Sequence, residues 1–508
     1  MERLQPARAL ALPSPLAWEA GALAWPLLCA LAAAAAVVPL WVGRFLPFQD
    51  APQHLAAIRV LADYGTPRFA FQRWFEIDFA RSQYLGFYLP AALLARLFGP
   101  EAACRIVLSA IAVALPATFW VLLRSFGRDV RLAVFAPALF HTAPLYLGFF
   151  NFVESVPATI LVVALAEREL RAPSRGRGVV LAAAAALLLY LHPSALALAL
   201  GAAAFLAVTA GVTLRRAARA VAPFVPAVSL LAAWMARSLF AQSPGTVSQA
   251  GPSWQPLRER VLDLVRFGNV LAGHADETFV GLLLSIWLAA LLVSGRPRIP
   301  RWWRLPLLAA CTAFAYFAVP ESLGAAGSIH LRALPLLALL AFAAPVLAPG
   351  RTTSALLAAA VALQLAYDLK LTAVRREFDA EAEAPQLERV LEAAEPGRRL
   401  LSLVHDRWSN VVQFEAYQHF GMYYQVERGG RARRNFAELP WTPVRFRAGT
   451  AAVPLPPGWE EHTEWFEPSR EGAEADYLLV RGPAPDPPGP FAVKARAGRW
   501  TLYQARPR

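Results

Sequence analysis

Asp50 and His54 are the two residues whose types and spacing best suit chemistry. Pro52 favours the start of a helix, so Asp50 would lie near its N-terminus and His54 one turn further on, on the same side. A carboxylate there can act as a general base, and an Asp–His pair with this spacing can share a divalent metal. The spacing alone favours a structural alternative, in which Asp50 caps the helix and His54 is solvated.

Arg332 is a second candidate, at the outer edge of an apolar segment in the stretch SIHLRALPLLALL. An ionisable side chain at that depth is costly and therefore indicates function. Its planar guanidinium suits a phosphate group, and the alternative is an anchor that reaches the membrane interface. Other polar residues at predicted outer ends of apolar segments are candidates for substrate binding: Asn151, His192 and His330. The His192-Pro193 pair also fits a simple turn.

The composition of the chain predicts what kind of secondary structure positions these residues. The chain has 508 residues, of which 57% are hydrophobic and 17% are charged, whereas about 25% charged residues are usual in soluble domains. This excludes a soluble globular enzyme and a disordered chain, and it predicts an all-α membrane protein with many spans. The net charge of +13 comes from short Arg clusters between apolar segments, not from one basic stripe, so nucleic acid is not an expected partner.

Topology follows from where the Arg clusters lie. Loops with an excess of Arg belong in the cytoplasm, and they are 124–131, 168–177, 215–219 and 296–304. Segments with balanced charge belong outside, and they are 43–82, 241–276 and 320–331. Only one crossing fits between 43–82 and 124–131, so 83–98 is predicted to be an interfacial helix. The resulting prediction is about eleven transmembrane helices, one of them over 132–148.

The predicted domains differ sharply in composition. Residues 1–21 form a cytoplasmic N-terminus, and 22–372 form the transmembrane domain, whose first outer loop spans 43–104. Residues 373–508 form a small extracytoplasmic α/β or α+β domain. Its predicted elements are a charged helix over 376–394 and strands in RRLLSLVHD, ADYLLVRG and GRWTLYQARP. In this domain, His419 and Tyr423 are one helical turn apart, which favours the edge of a structural helix.

A family resemblance adds to this picture. LPFQDAPQHLAAIRVLADYG resembles the first outer loop of the C-type (GT-C) integral membrane glycosyltransferases. SQYLGFYLPAALLARLFG resembles the amphipathic segment that follows, and Arg105 opens the next span. LGFFNFVESVPATILVVAL and PES…HLRALPLLALL are similar to later spans. The chain is most similar to a loosely characterised bacterial branch of this superfamily.

The resemblance implies a reaction and roles for residues. Asp50 matches the loop acid that serves as catalytic base, and Arg332 matches a late basic residue that holds the lipid phosphate. The loop departs from the common pattern of two acids close together, because His54 stands where a second acid would be. Metal dependence therefore stays open, with Asp50 and His54 as its candidate ligands.

The implied protein moves a sugar from a polyprenyl-phosphate donor to a lipid, glycan or protein acceptor, with inversion. It would lie in the bacterial plasma membrane among membrane lipids, with its N-terminus in the cytoplasm and its C-terminal domain outside. No nucleotide cofactor is expected, since the chain has no Gly-rich phosphate loop. Two alternatives stay open: a polytopic transporter or lipid flippase, and a non-catalytic membrane scaffold.

Overall fold

The structure is a computed structural model. It describes residues 24–241, 251–266, 273–295, 300–323, 327–412, 414–439, 441–451, 455–456, 458–483 and 489–506. The predicted cytoplasmic segment 1–21 lies outside these residues. The α-helices are α1 (Ala24–Val37), α2 (Ala51–Asp63), α3 (Phe71–Trp74), α4 (Leu85–Phe98), α5 (Pro100–Ser125), α6 (Ala143–Tyr146), α7 (Phe150–Arg171), α8 (Arg175–Leu191), α9 (Pro193–Thr209), α10 (Leu214–Val221), α11 (Val225–Ala241), α12 (Leu257–Arg266), α13 (His274–Leu292), α14 (Arg304–Ala318), α15 (Leu334–Phe342), α16 (Arg351–Glu381), α17 (Ala384–Glu392) and α18 (Met422–Arg428).

The chain is a multi-pass membrane protein. Within the described residues, six helical segments are long and apolar enough to cross a bilayer: Ala24–Trp41, Pro100–Ser125, Phe150–Arg171, Leu214–Arg237, His274–Leu292 and Arg351–Glu381. A helix satisfies its backbone polar groups internally, which lets apolar segments of this kind lie in lipid. Four shorter apolar helices accompany them: Leu85–Phe98, Pro193–Thr209, Arg304–Ala318 and His330–Phe342. The count of eleven crossings and the orientation of the termini stay predictions.

The helix predicted over 132–148 is not there as a single element. The segment instead forms two 3-10 helices, Val130–Phe135 and Pro137–Leu139, and then the one-turn helix α6. Pro137 and Pro144 explain the breaks, because each lacks an N–H donor and each lies in the first turn of a new short helix. The segment is buried against α1, α5 and α16, so its apolar character reflects burial in protein.

Helix α4 occupies the segment predicted to be interfacial. It has 14 residues, which at 1.5 Å per residue gives about 21 Å, short of the roughly 30 Å hydrocarbon core. One face packs on α2 and α5, and the other exposes Leu89, Leu93 and Leu97. The length and this exposed apolar stripe fit a helix in the membrane interface; its location there stays a prediction.

The C-terminal region, residues 373–508, is built around a sheet, and one further strand, β1, belongs to the first loop. The strands are β1 (Phe75–Ile77), β2 (Arg399–Val404), β3 (Arg431–Ala432), β4 (Val444–Phe446), β5 (Tyr477–Arg481), β6 (Phe491–Ala497) and β7 (Trp500–Ala505). Five of them form one sheet in the order β3-β2-β5-β7-β6, with β2 parallel to β3 and β5, and with β7 antiparallel to β5 and β6. Strands β2, β5 and β7 lie where the sequence predicts strands.

The boundary between the predicted domains falls inside a helix. Helix α16 continues through residues 372 and 373 and ends at Glu381. Glu383 then adopts a left-handed conformation with φ 53°, and α17 starts at the next residue. The helix predicted over 376–394 is therefore two helices, and the C-terminal region begins within α16.

The first loop, residues 43–104, and the C-terminal region form one packed unit. Strand β1 of the first loop pairs antiparallel with β4, with Phe75 opposite Phe446. Gly430 donates its N–H to the Phe69 carbonyl at 2.8 Å. Its neighbour Gly429 has φ +72°, and a Cβ there would lie 2.5 Å from the Phe69 backbone, so the approach requires glycine.

Arg44 forms several ion pairs where these segments pack together. Its guanidinium contacts three carboxylates, Glu388 at 2.7 Å, Glu101 at 2.9 Å and Glu427 at 3.2 Å. These carboxylates come from α17, α5 and α18. The backbone N–H groups of Arg44 and Phe45 also donate to Asp379 of α16, at 2.5 and 3.1 Å. The start of the first loop is thus fixed from several sides, and this is the segment that leads to Asp50.

Candidate active site between the first loop and the C-terminal region

Asp50 is the residue before α2, and its side chain makes no capping hydrogen bond to that helix. The backbone before it is fixed: the Gln49 N–H donates to the Tyr146 carbonyl at 2.8 Å. The Phe48 ring lies under the Arg375 guanidinium of α16, 4.7 Å from ring centroid to carbon. These contacts fix the backbone that leads to Asp50, and the Asp50 carboxylate does not bond to the N-terminus of α2. This contradicts the alternative in which Asp50 caps the helix.

Gly148 lets the chain before α7 come close to Asp50. It has φ +88°, and an added Cβ would lie 2.6 Å from the Asp50 Cβ and 2.9 Å from its backbone nitrogen. Both the left-handed conformation and the contact require glycine. The close approach brings the Gly148 carbonyl against α2, where it becomes a hydrogen-bond partner of His54.

His419 of the C-terminal region contacts Asp50 directly. Its Nε2 lies 3.1 Å from Asp50 Oδ1, and its Nδ1 lies 3.4 Å from Glu460 Oε1. Arg434 holds the other oxygen of Glu460 at 3.0 Å. The result is a row of alternating charge, Asp50–His419–Glu460–Arg434, in which each group faces an opposite charge.

The protonation states in this row follow from burial and charge. Burial by itself would lower the pKa of His419, but the carboxylates of Glu460 and Asp50 outweigh it and raise the pKa to about 10. Burial would raise the pKa of Glu460, but His419 and Arg434 overcome this and lower it to about 2. At neutral pH, His419 is therefore an imidazolium that lies between two carboxylates.

Three glutamines connect α2 to the same row. The Gln49 side-chain amide donates to Gln418 Oε1, and Gln418 Nε2 donates to Glu460 Oε2 at 3.2 Å. Gln53 donates to the Arg434 carbonyl at 2.5 Å and accepts from the Phe436 N–H at 3.1 Å. These bonds fix the position of α2 relative to the segment that carries Arg434.

His54 does not join Asp50 in a shared site. Its Nε2 donates to the Gly148 carbonyl at 2.7 Å, and its Nδ1 accepts from the Tyr88 hydroxyl at 2.8 Å. Burial lowers the pKa of His54 to about 4, although the Asp50 charge opposes this shift, so the ring is neutral. Because both ring nitrogens are occupied, the proposed Asp50–His54 metal pair does not fit this geometry.

The aromatic start of α4 links His54 to other predicted residues. Asn151 approaches the Tyr88 hydroxyl that His54 also contacts. One turn earlier, Tyr84 stacks on the His192 ring with centroids 5.4 Å apart. His192 also lies in the turn between α8 and α9, which was its structural alternative. Its Nδ1 accepts from the Ser194 N–H at 3.3 Å and caps α9.

Arg332 lies beside this aromatic pair. Its guanidinium is close enough to act electrostatically on Tyr84 and His192. One of its nitrogens donates to the Gly327 carbonyl at 3.3 Å, whereas its buried Nε has no hydrogen-bond partner among the described residues. Asn151 Oδ1 and Glu154 Oε2 are likewise buried and unpartnered. This end of the site thus has polar atoms available for a ligand.

His330 shares a 3-10 helix, His330–Ala333, with Arg332, and its ring contacts α12 and α14. Its ring packs against Tyr316 of α14, 5.4 Å between centroids, and its Nε2 lies 3.6 Å from Asp263 of α12. The structure thus joins His54 and Asn151 through Tyr88, joins His192 and Arg332 through Tyr84, and turns the His330 ring to α12 and α14. Among the residues that the structure describes, no group of three or more His, Cys, Asp or Glu side chains could hold a metal.

Sequence reasoning missed the partners of Asp50. The spacing of His419 and Tyr423 predicts the edge of a structural helix, whereas His419 lies in the turn just before α18. A lone histidine before the aromatic pair Tyr423-Tyr424 was the available signal. Glu460 and Arg434 had none, because neither lies in a pattern that links it to Asp50.

Comparison with known proteins identifies the fold. No family model and no curated protein sequence matches the chain. The membrane helices together with the first loop and the C-terminal region have the fold of the C-type integral membrane glycosyltransferases.

Solved structures similar to this chain include the following two. One is ArnT from Cupriavidus metallidurans bound to undecaprenyl phosphate, with a TM-score of 0.54, 13% identity, and coverage of 96% of this chain and 100% of that one. The other is the arabinofuranosyltransferase AftD from Mycobacteria, with a TM-score of 0.49 and 16% identity, covering 95% of this chain. This chain spans 40% of the length of AftD.

Proposed function

We propose that this protein is a glycosyltransferase that moves a sugar from a polyprenyl-phosphate donor to an acceptor at the outer face of the bacterial plasma membrane. The observation that carries the proposal is the Asp50 carboxylate. It lies on the first loop, is not used as a helix cap, and is held by a buried imidazolium. In a chain with the fold of C-type glycosyltransferases, this carboxylate is the best-placed general base.

The reaction needs one proton acceptor and one stabilised leaving group. An acceptor hydroxyl attacks the anomeric carbon, its new C–O bond forms as the bond to the lipid phosphate breaks, and the configuration inverts. Asp50 takes the hydroxyl proton, for which it must come within about 2.6–3.2 Å, directly or through one water. The electron pair of the broken bond leaves with the lipid phosphate.

The Arg332 end of the site suits that phosphate. Arg332 supplies a cation whose Nε has no hydrogen-bond partner among the described residues, and it lies close to the stacked rings of Tyr84 and His192. Guanidinium groups bind phosphate oxygens through parallel hydrogen bonds. ArnT, whose fold this chain shares, was solved with undecaprenyl phosphate, and this supports a donor of the same kind.

The orientation that this function needs is the one predicted from the Arg clusters. The first loop and the C-terminal region then face the outside, where lipid-linked sugars would be used, and the N-terminus lies in the cytoplasm. A reporter fused after the last residue tests this directly. An exported reporter should be active there, and activity of a cytoplasm-only reporter would contradict the orientation.

Replacing Asp50 tests the chemistry. Asp50→Asn keeps the size of the side chain and loses the base, so the rate should fall by about 10²–10⁴ while membrane insertion survives. The measurement is release of polyprenyl phosphate from a panel of polyprenyl-phosphoryl sugars, at matched protein levels in native membranes.

Asp63→Asn is the matched control. Asp63 ends the same helix and pairs with Arg59 at 2.8 Å, away from His419, so its turnover should stay close to that of the wild type. Full activity of Asp50→Asn would refute the proposed mechanism. Movement of a solute across vesicles by a wild type that transfers no sugar would favour the transporter alternative.

A further inference from the structure

We propose that His419 is a positioning residue that aims the Asp50 carboxylate at the acceptor, so that the C-terminal region completes the active site. The inference rests on the proposed function, and it adds a residue and a region to it. Asp50 belongs to the first loop, whereas His419, Glu460 and Arg434 all belong to residues 373–508.

The need for such a residue follows from the geometry of Asp50. An aspartate before a helix normally turns its carboxylate to the first N–H groups of that helix, and Asp50 does not. Within the described part of the chain, His419 Nε2 at 3.1 Å is the polar group that its side chain contacts. The orientation of the carboxylate therefore depends on a residue of another region.

His419 is itself held rigidly. Glu460 forms an ion pair with the opposite ring nitrogen at 3.4 Å, Gln53 Nε2 lies 3.4 Å from the same nitrogen, and Glu460 is fixed by Arg434 at 3.0 Å and by Gln418 at 3.2 Å. The imidazole is largely buried, with 12% of its side chain exposed, and a side chain held on both edges has little freedom to rotate. An ion pair at 3.1 Å with a ring held in this way restricts the direction of the Asp50 carboxylate.

The arrangement leaves Asp50 Oδ2 for the acceptor. His419 occupies Oδ1, so the proton taken in the reaction would go to the second oxygen. His419 keeps both its protons throughout and does not touch the reacting atoms. Misplacing a reacting group by about 1 Å can cost about 100-fold in rate, and this sets the scale of the effect expected when the ring is removed.

Two variants of His419 separate positioning from folding. His419→Gln keeps an N–H donor that can reach Asp50 Oδ1, whereas His419→Leu fills the space without a donor. We expect kcat to fall about 10-fold or less in His419→Gln and about 100-fold in His419→Leu. The KM for the lipid-linked donor should change little in both, because the Arg332 end is untouched.

The matched control is His405→Gln. His405 is an exposed histidine of the same region that contacts Thr463 at 2.8 Å, so kcat should stay at the wild-type value. Equal loss in His419→Gln and His419→Leu, or a loss confined to KM, would overturn the positioning role. Melting curves in detergent verify that each variant compared is folded.

The measurements distinguish failure of the His419 inference from failure of the proposed function. If the wild type transfers sugar and Asp50→Asn abolishes it, the function stands whatever His419 does. If His419→Leu then keeps full kcat, the inference alone is wrong. If the wild type transfers no sugar, the proposed function fails first.

Discussion

The two ends of the candidate site differ in how their polar atoms are satisfied. At the Asp50 end, His419, Glu460 and Arg434 form a closed row of ion pairs at 3.0–3.4 Å. At the Arg332 end, the buried Nε of Arg332 has no hydrogen-bond partner within the part of the chain that the structure describes. The first end comes from two regions packed together, whereas the second lies among apolar helices.

The two ends of the site therefore suit different roles, one in catalysis and one in ligand binding. A fully paired row is preorganised, so it can hold a catalytic group in place before any substrate arrives. Buried polar atoms without partners are costly unless something binds them. Under the proposed function, the Asp50 end does the chemistry and the Arg332 end receives the lipid-linked donor. Substitutions at the first should change stability and kcat, whereas those at the second should change donor affinity.

The largest expected effect on stability is at the Asp50 end. Glu460→Leu removes the carboxylate that lies between His419 and Arg434, so the partly exposed Arg434 loses this ion pair and His419 keeps only Asp50. Breaking a buried pair in this way costs about 3–5 kcal/mol. We expect a marked drop in the melting temperature of the detergent-purified protein. An unchanged melting temperature would show that this row does not stabilise the fold.

The next effect is on affinity, at the other end. Arg332→Ala removes hydrogen bonds to a charged phosphate, worth about 1.5–3 kcal/mol, which is roughly 10- to 150-fold in donor KM. Arg332→Lys keeps the charge and should lose less. The melting temperature should stay near that of the wild type, because the guanidinium has an unsatisfied nitrogen. A large fall in stability with unchanged KM would remove the distinction between the two ends.

The smallest effect tests whether the Asp50 end depends on packing between regions. Arg44→Met breaks three partly exposed ion pairs that join the first loop to α5, α17 and α18. Each such pair contributes about 0.2–1 kcal/mol, so a loss of roughly 1–2 kcal/mol in unfolding free energy is expected. Urea unfolding measures it, with Arg96→Met, on the exposed side of α4, as control.

Some of the fold could be predicted because it rests on local patterns. Strands β2, β5 and β7 were predicted from short apolar runs with polar or Gly/Pro boundaries, and they are strands in the structure. The segment 132–148 was predicted wrongly, because an apolar run indicates burial without saying whether lipid or protein covers it. The 376–394 helix was divided by a left-handed residue, Glu383, and a charged helical pattern gives no sign of this.

The sequence by itself determined that this is a polytopic membrane protein, and it identified Asp50 and Arg332 as candidate residues. These conclusions depend on composition and on the position of a charge next to an apolar run, and both are properties of neighbouring residues. Only the tertiary structure decided that His54 turns to Tyr88 and Gly148, and that His419 is the partner of Asp50. The first loop and the C-terminal region lie at opposite ends of the chain. Their contacts arise from packing and charge pairing in three dimensions, and helical or strand periodicity along the chain does not encode them.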